Sequence, residues 1–220
     1  MQEFYEVVAD NVHRLKLIQI GLTFSDYQGN LAYPCSSWQF NLKFDHDCYI
    51  ERGAEELLKK AGINFDILHF KGIRHVDFSY YFLTSGILMN PKVTWVAFHS
   101  NYDFAYLFHL IVGGALPARY EDFETAVFKM FPTIYDLKWI MRKSTNWTWS
   151  GGLDKLSAAY ELSRSGAAHQ AGSDSLMTAE VFFNVVKSEL GVVIEDSPLL
   201  SEQLLSYKNV VYGFGHDPSY

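Results

Sequence analysis

His169-Gln170-Ala171-Gly172-Ser173-Asp174 sets a carboxylate five positions after a histidine, with glycine and serine between them. Asp174 also opens an apolar-periodic run, because Asp174, Met177, Val181 and Phe182 fall at i, i+3, i+7 and i+8. That spacing predicts a helix over 174–190, the longest in the chain. The carboxylate is then held rigidly on the helix, and the imidazole hangs from the loop before it. A metal-dependent hydrolase can use such a pair: the carboxylate grips a hard cation and the imidazole takes a proton from the attacking water.

A second carboxylate has a similar setting. Val93-Thr94-Trp95-Val96-Ala97-Phe98 is rich in β-branched and aromatic residues and reads as a buried strand. His99-Ser100-Asn101 is a turn with helix-capping chemistry. Asp103 follows in the first helical turn, and Leu107, Leu110 and Ile111 continue an apolar face. An aspartate in a first turn is also what a capping or dipole-paired residue looks like, so Asp103 and Asp174 read from spacing alone as ligands or as caps. His169 likewise reads as a base or as a hydrogen-bonded loop histidine.

His99-Ser100-x-Tyr102-Asp103-Phe104-x-Tyr106-Leu107 and the stretch from His169 to Leu176 resemble the second and third exonuclease motifs of the CCR-associated-factor deadenylases. These are the poly(A)-trimming nucleases of the CCR–Not complex, within the DEDD exonuclease superfamily. Leu17–Phe24, Trp38-Gln39-Phe40-Asn41, Ser85-Gly86-Ile87, Phe131-Pro132-Thr133-Ile134-Tyr135-Asp136 and Tyr212-Gly213-x-Gly215 extend the likeness from about residue 5 to residue 215 in unbroken order. The resemblance implies an α/β, ribonuclease H-like exonuclease fold forming one domain over 1–220. It implies Asp103 and Asp174 as metal ligands and His169 as the base. Divalent ions would be the cofactors, Mg²⁺ first and Mn²⁺ or others also possible. The implied partners are the poly(A) tail of mRNA, the CCR–Not scaffold and CCR-type nuclease subunits, in cytoplasm and nucleus.

One family feature has no counterpart. The first motif, Asp-x-Glu followed by Phe-Pro-Gly, belongs to a strand upstream of the segment that starts here. Gln2-Glu3-Phe4 mimics it only faintly, and residues 3–14 read as a helix. Asp122-Phe123-Glu124 leads into the amphipathic run Ala126, Val127, Met130, Phe131 and reads as a helix N-terminal charge pair. The expected sheet therefore lacks its first strand, an internal one. Each buried unpaired backbone group costs about 1–3 kcal/mol, against a total stability of about 5–15 kcal/mol. Two functions follow. One is a 3′-to-5′ poly(A) exoribonuclease using two divalent ions and releasing AMP. The other is an interaction module of the deadenylase complex that keeps the partner surfaces with an impaired site.

Composition supports these readings without choosing between them. The 220 residues are 49% hydrophobic and 16% aromatic, enough for a sizeable core. No apolar run approaches the roughly 18 residues of a membrane span, so no membrane partner is expected, and the acidic start has no signal-peptide core. The net charge of −7 argues against a long basic groove for nucleic acid. It suits a nuclease that grips a few terminal nucleotides and is recruited by partners. Cys35 and Cys48 read as free thiols, and Asn146-Trp147-Thr148 as an unused glycosylation acceptor.

The remaining periodicities predict alternating antiparallel strands over 17–24 and 37–44, with Trp38, Phe40, Leu42 and Phe44 inward. Helices are predicted over 2–14, 54–61, 78–85, 101–112, 123–131, 138–143 and 153–162, and a short buried strand over 133–136. Strands first and helix-alternating strands later predict a mixed sheet flanked by helices. Asp136 sits at a strand end within reach of a metal but matches no family carboxylate. Trp139, Trp147 and Trp149 read as packing, or as a stacking surface for adenines.

Overall fold

A computed structural model of the chain describes residues 1–144, 151–191 and 202–214. The chain opens with α1 (Gln2–Arg14), which buries Tyr5, Val8 and Val12 at i, i+3 and i+7. Val7 is 55% exposed. The Tyr5 hydroxyl donates to the Pro117 carbonyl at 2.6 Å, so the ring enters the core with its polar tip satisfied. The strands β1 (Gln19–Thr23) and β2 (Ser37–Asn41) pair antiparallel, with Ile20 opposite Phe40 and Leu22 opposite Trp38.

Helices α2 (Arg52–Lys60), α3 (Phe65–Lys71) and α4 (His75–Thr84) follow. The chain then enters β3 (Trp95–Ala97), α5 (Asn101–Val112), α6 (Tyr120–Met130), β4 (Ile134–Asp136) and α7 (Leu137–Lys143). β3 and β4 pair in parallel, with Val96 opposite Tyr135. The described chain ends with α8 (Leu153–Ala159), α9 (Ala171–Ser188) and α10 (Glu202–Leu205).

The α/β class and the element order follow the sequence expectation, but the sheet does not form one piece. Among the described residues β1–β2 and β3–β4 are separate two-stranded sheets. β1 offers one edge to β2, and β3 offers one edge to β4. The space between them is a cleft of about 950 Å³, lined along its length by residues of β1 and β3. Helices fill the flanks. One buried cluster joins Tyr5, Phe104, Phe108, Phe123, Phe131 and Phe214. Another joins Tyr135, Ile140, Leu156, Met177, Val181 and Phe182 beneath α9.

Local departures have physical causes. Trp38 is 49% exposed rather than inward. It pairs with Leu22, which lines the cleft. Leu42 and Phe44 are buried as expected. α6 begins at Tyr120, which places Asp122 and Glu124 inside the helix. Glu124 accepts from the Tyr120 hydroxyl at 2.5 Å. Both cysteines are free thiols. No helix among the described residues is long and apolar enough to cross a membrane. Residues 146–149, with the glycosylation acceptor and Trp147 and Trp149, lie outside the described residues. Trp139 is buried at 7% exposure, with the Lys143 ammonium 4.7 Å from its ring centroid, so it packs rather than stacks on a base.

Candidate metal centre

Asp103, His169 and Asp174 all line the cleft between the two sheets. They come from two different supports. The first is the turn from β3 into α5. Its geometry is imposed by Asp136, which is fully buried. The Asp136 carboxylate accepts from the backbone N–H of His99 at 3.0 Å, of Ser100 at 2.9 Å and of Lys138 at 2.9 Å. It also accepts from the Ser100 hydroxyl at 2.9 Å and the Tyr212 N–H at 3.1 Å. This carboxylate is saturated by donors and caps α7, which accounts for it without a metal.

His99 takes a left-handed backbone conformation, φ 59°, to make the turn. Its ring packs edge-on against Tyr212 at 5.0 Å. It is the structural residue that its strand-end position suggests. Asp103 then stands in the first turn of α5. Asp103 is an exposed residue that lines the cleft. Burial, with the neighbouring Asp136 charge adding to it, pushes the acid up to about 6.

The second support is the start of α9. That helix begins at Ala171, three residues earlier than the periodicity suggests, so Asp174 is its fourth residue. His169 is held with φ 62° in the loop before it. The loop is fixed against the β1–β2 hairpin by amides. The Gln170 Oε1 accepts from Gln39 at 2.8 Å and from Gln19 at 3.1 Å. The Gln170 amide donates to the Ala61 carbonyl at 2.6 Å, and the Gly172 N–H donates to Gln39 Oε1 at 3.0 Å. The approach is so close that a Cβ on Gly21 would stand 1.8 Å from the Ala171 carbonyl oxygen. The polar face of β1 therefore holds the motif loop in place. Thr23, on the same face, shares a 2.8 Å hydroxyl contact with Ser175.

Two further charged residues reach this site and were not singled out from the sequence. Arg164, in the loop after α8, bonds Asp154 Oδ1 through Nε at 3.1 Å and through Nη2. Its Nη1 donates to Asp174 Oδ1 and, at 3.2 Å, to the Ser173 hydroxyl. Both Arg164 and Asp154 line the cleft. The only hint in the sequence is a cation five residues before His169. A fourth lining carboxylate, Asp26, is committed to its own turn, accepting from the Gln28 and Asn30 backbones at 2.8 and 2.9 Å.

Asp103 and Asp174 offer hard carboxylate oxygens, and among the described residues no cation is bonded to Asp103, so the pair suits a divalent cation. Among the described residues no three His, Cys, Asp or Glu side chains are grouped to hold an ion. The two aspartates would therefore supply only part of a coordination sphere.

A family model for the CAF1 family ribonucleases matches residues 84–182, a span that includes Asp103, His169 and Asp174. The chain is 42% identical over 183 residues to the poly(A) ribonuclease pop2 of Schizosaccharomyces pombe, covering 82% of this chain and 54% of that protein. It is 36% identical over 220 residues to the probable CCR4-associated factor 1 homolog 7 of Arabidopsis thaliana, covering 96% of this chain and 75% of that protein. The chain thus spans about half the length of the first relative and three quarters of the second. Among solved structures, the Mg²⁺- and Mn²⁺-bound form of S. pombe Pop2p superposes with a TM-score of 0.87 at 37% identity, covering 96% of this chain and 79% of that one. One chain of the structure of the yeast NOT1 MIF4G domain co-crystallised with CAF1 superposes with a TM-score of 0.80 at 30% identity, covering 94% of this chain and 79% of that one. With the same fold and this level of identity across nearly its whole length, the chain belongs to the CAF1 family of ribonucleases.

Proposed function

We propose that the cleft is the site of a poly(A)-directed 3′-to-5′ exoribonuclease. The observation that carries this reading is the placement of Asp103, Asp174 and His169 in one cleft, although they arise from segments far apart in the chain. Asp103 and Asp174 would hold divalent cations, Mg²⁺ or Mn²⁺ as in the S. pombe relative's structure. Bound there, such ions supply Lewis-acid stabilisation of the charge that develops on the phosphate.

The chain's own residues do the rest. His169, on a strained loop braced by the Gln19–Gln39–Gln170 amides, accepts the proton of the attacking water. Asp174, anchored in the first turn of α9, keeps its charge at a fixed place relative to that imidazole. The net charge of −7 suits recognition of a few terminal nucleotides better than tracking along a long basic groove. The test is digestion of labelled oligo(A), oligo(U) and 3′-blocked oligo(A) with Mg²⁺. Preference for oligo(A), AMP as product and resistance of the blocked strand are expected. Equal cutting of all three would reject the assignment.

A second reading, an interaction module with an impaired site, is favoured by a different observation. α4 exposes Val76, Tyr80 and Leu83 at i, i+4 and i+7, with exposures of 66, 63 and 42%. That apolar stripe is what the chain offers a scaffold such as the NOT1 domain seen with the yeast relative. Asp103 and Asp174 also provide −2 against the +4 of two dications. Val76→Arg with Tyr80→Arg should abolish capture by a NOT1 MIF4G domain while leaving nuclease activity unchanged, and unimpaired capture would rule out this surface.

A further inference from the structure

Among the described residues Arg164 is the cation bonded to a proposed metal ligand, and its bonds are unequal. Two of its N–H groups go to Asp154 Oδ1, and Nη1 is shared between Asp174 Oδ1 and the Ser173 hydroxyl. The arginine side chain is 17% exposed, Asp154 62% and Asp174 38%. Losing Asp174 would therefore not leave a buried guanidinium unpaired, because Asp154 and Ser173 remain to satisfy it. A divalent cation at Asp174 Oδ1 would compete with Nη1 for that oxygen, and its charge would repel the guanidinium.

We propose that Arg164 is the resident counter-ion of the metal centre. It holds the Asp174 carboxylate in position when no cation is bound, and yields it to a divalent cation while staying tethered to Asp154. This rests on the metal-site reading given above. Arg164 is thus a positioning residue acting through Asp174, and it competes with the metal for the same oxygen. Asp154 sets the strength of that competition by drawing the guanidinium away.

The competition predicts opposite effects from two neighbouring substitutions. Mn²⁺ binding to the whole chain is measured by calorimetry and by the loss of free-ion electron paramagnetic resonance signal. Arg164→Met keeps the length of the side chain without its charge and should tighten Mn²⁺ several-fold. Asp154→Asn leaves Arg164 with Asp174 as its one carboxylate and should weaken Mn²⁺ several-fold. The double variant should match Arg164→Met, because Asp154 acts only through the arginine. Unchanged or weaker binding by Arg164→Met overturns the proposal. So does a double variant as weak as Asp154→Asn, which would make Asp154 itself a ligand. Asp154→Asn changes an exposed side chain, so even if Arg164→Met does not fold, unchanged or tighter Mn²⁺ binding by Asp154→Asn overturns the proposal. Mn²⁺ binding that survives Asp174→Asn instead overturns the underlying site, and this proposal with it.

Discussion

Ser100 gives both its backbone N–H and its hydroxyl to the same oxygen of Asp136, each at 2.9 Å. Both residues are fully buried. This pair joins the end of β4 to the turn that launches α5, and so fixes where Asp103 enters the cleft.

Asp136→Ala would strand the N–H groups of His99, Ser100, Lys138 and Tyr212 without their acceptor. Buried unsatisfied donors cost about 1–3 kcal/mol each, and relaxation of the turn recovers part of that. A loss of roughly 3–5 kcal/mol is expected, visible as a lower urea midpoint. A midpoint unchanged from wild type would show that the turn does not depend on this carboxylate.

Gly21→Ala should be far more harmful than its single methyl suggests. The new Cβ meets the Ala171 carbonyl at 1.8 Å, so β1 or the start of α9 must move. Overpacking of this kind costs about 1–3 kcal/mol, and here it displaces His169 and Asp174 as well. Gly114→Ala, with nothing within 4 Å, is the matched control and should be nearly silent. Thermal melts and Mn²⁺ titrations of the two variants make the comparison, and equal behaviour would refute the close-contact argument.

Asp103 carries an acid raised to about 6 by burial. The unfolded chain titrates near 3.9, so between these values the folded state binds the extra proton. Stability from this group is greatest below about pH 4, falls as pH rises to about 6, and stays low above. Asp103→Asn removes the penalty. In chelator at pH 7.5 the variant should melt a few degrees higher than wild type, and near pH 4 the two should converge. A variant that melts lower at both pH values would mean that Asp103 stabilises the fold as a charge.

Much of this was legible in the sequence because hydrophobic period reports burial. The helices around Asp103 and Asp174, the β1–β2 hairpin and the β4 strand end all emerge from apolar spacing, and the motif stretches 99–107 and 169–176 carry the family. What periodicity could not show was partnership between distant polar groups. Arg164 looked like loop because its role depends on Asp154 and Asp174, ten residues away on either side. Gln19 and Gln39 looked like a solvated strand face because their acceptor, Gln170, lies across the fold. α3 escaped notice because seven residues are too few to display a period, although Asn64 caps it by accepting from the Ile67 N–H at 3.0 Å. The division of the sheet into two halves depends on strand pairing, which no local pattern encodes.

The central claim is that Asp103, Asp174 and His169 form one metal-dependent hydrolytic site. The most direct measurement is AMP released from oligo(A) by the wild-type chain, Asp174→Asn and His169→Ala, with Mg²⁺, with Mn²⁺ and with chelator. The account predicts slow, metal-dependent release that chelator and Asp174→Asn abolish, and that His169→Ala slows by roughly 10²–10⁴. Release by Asp174→Asn at the wild-type rate would contradict it.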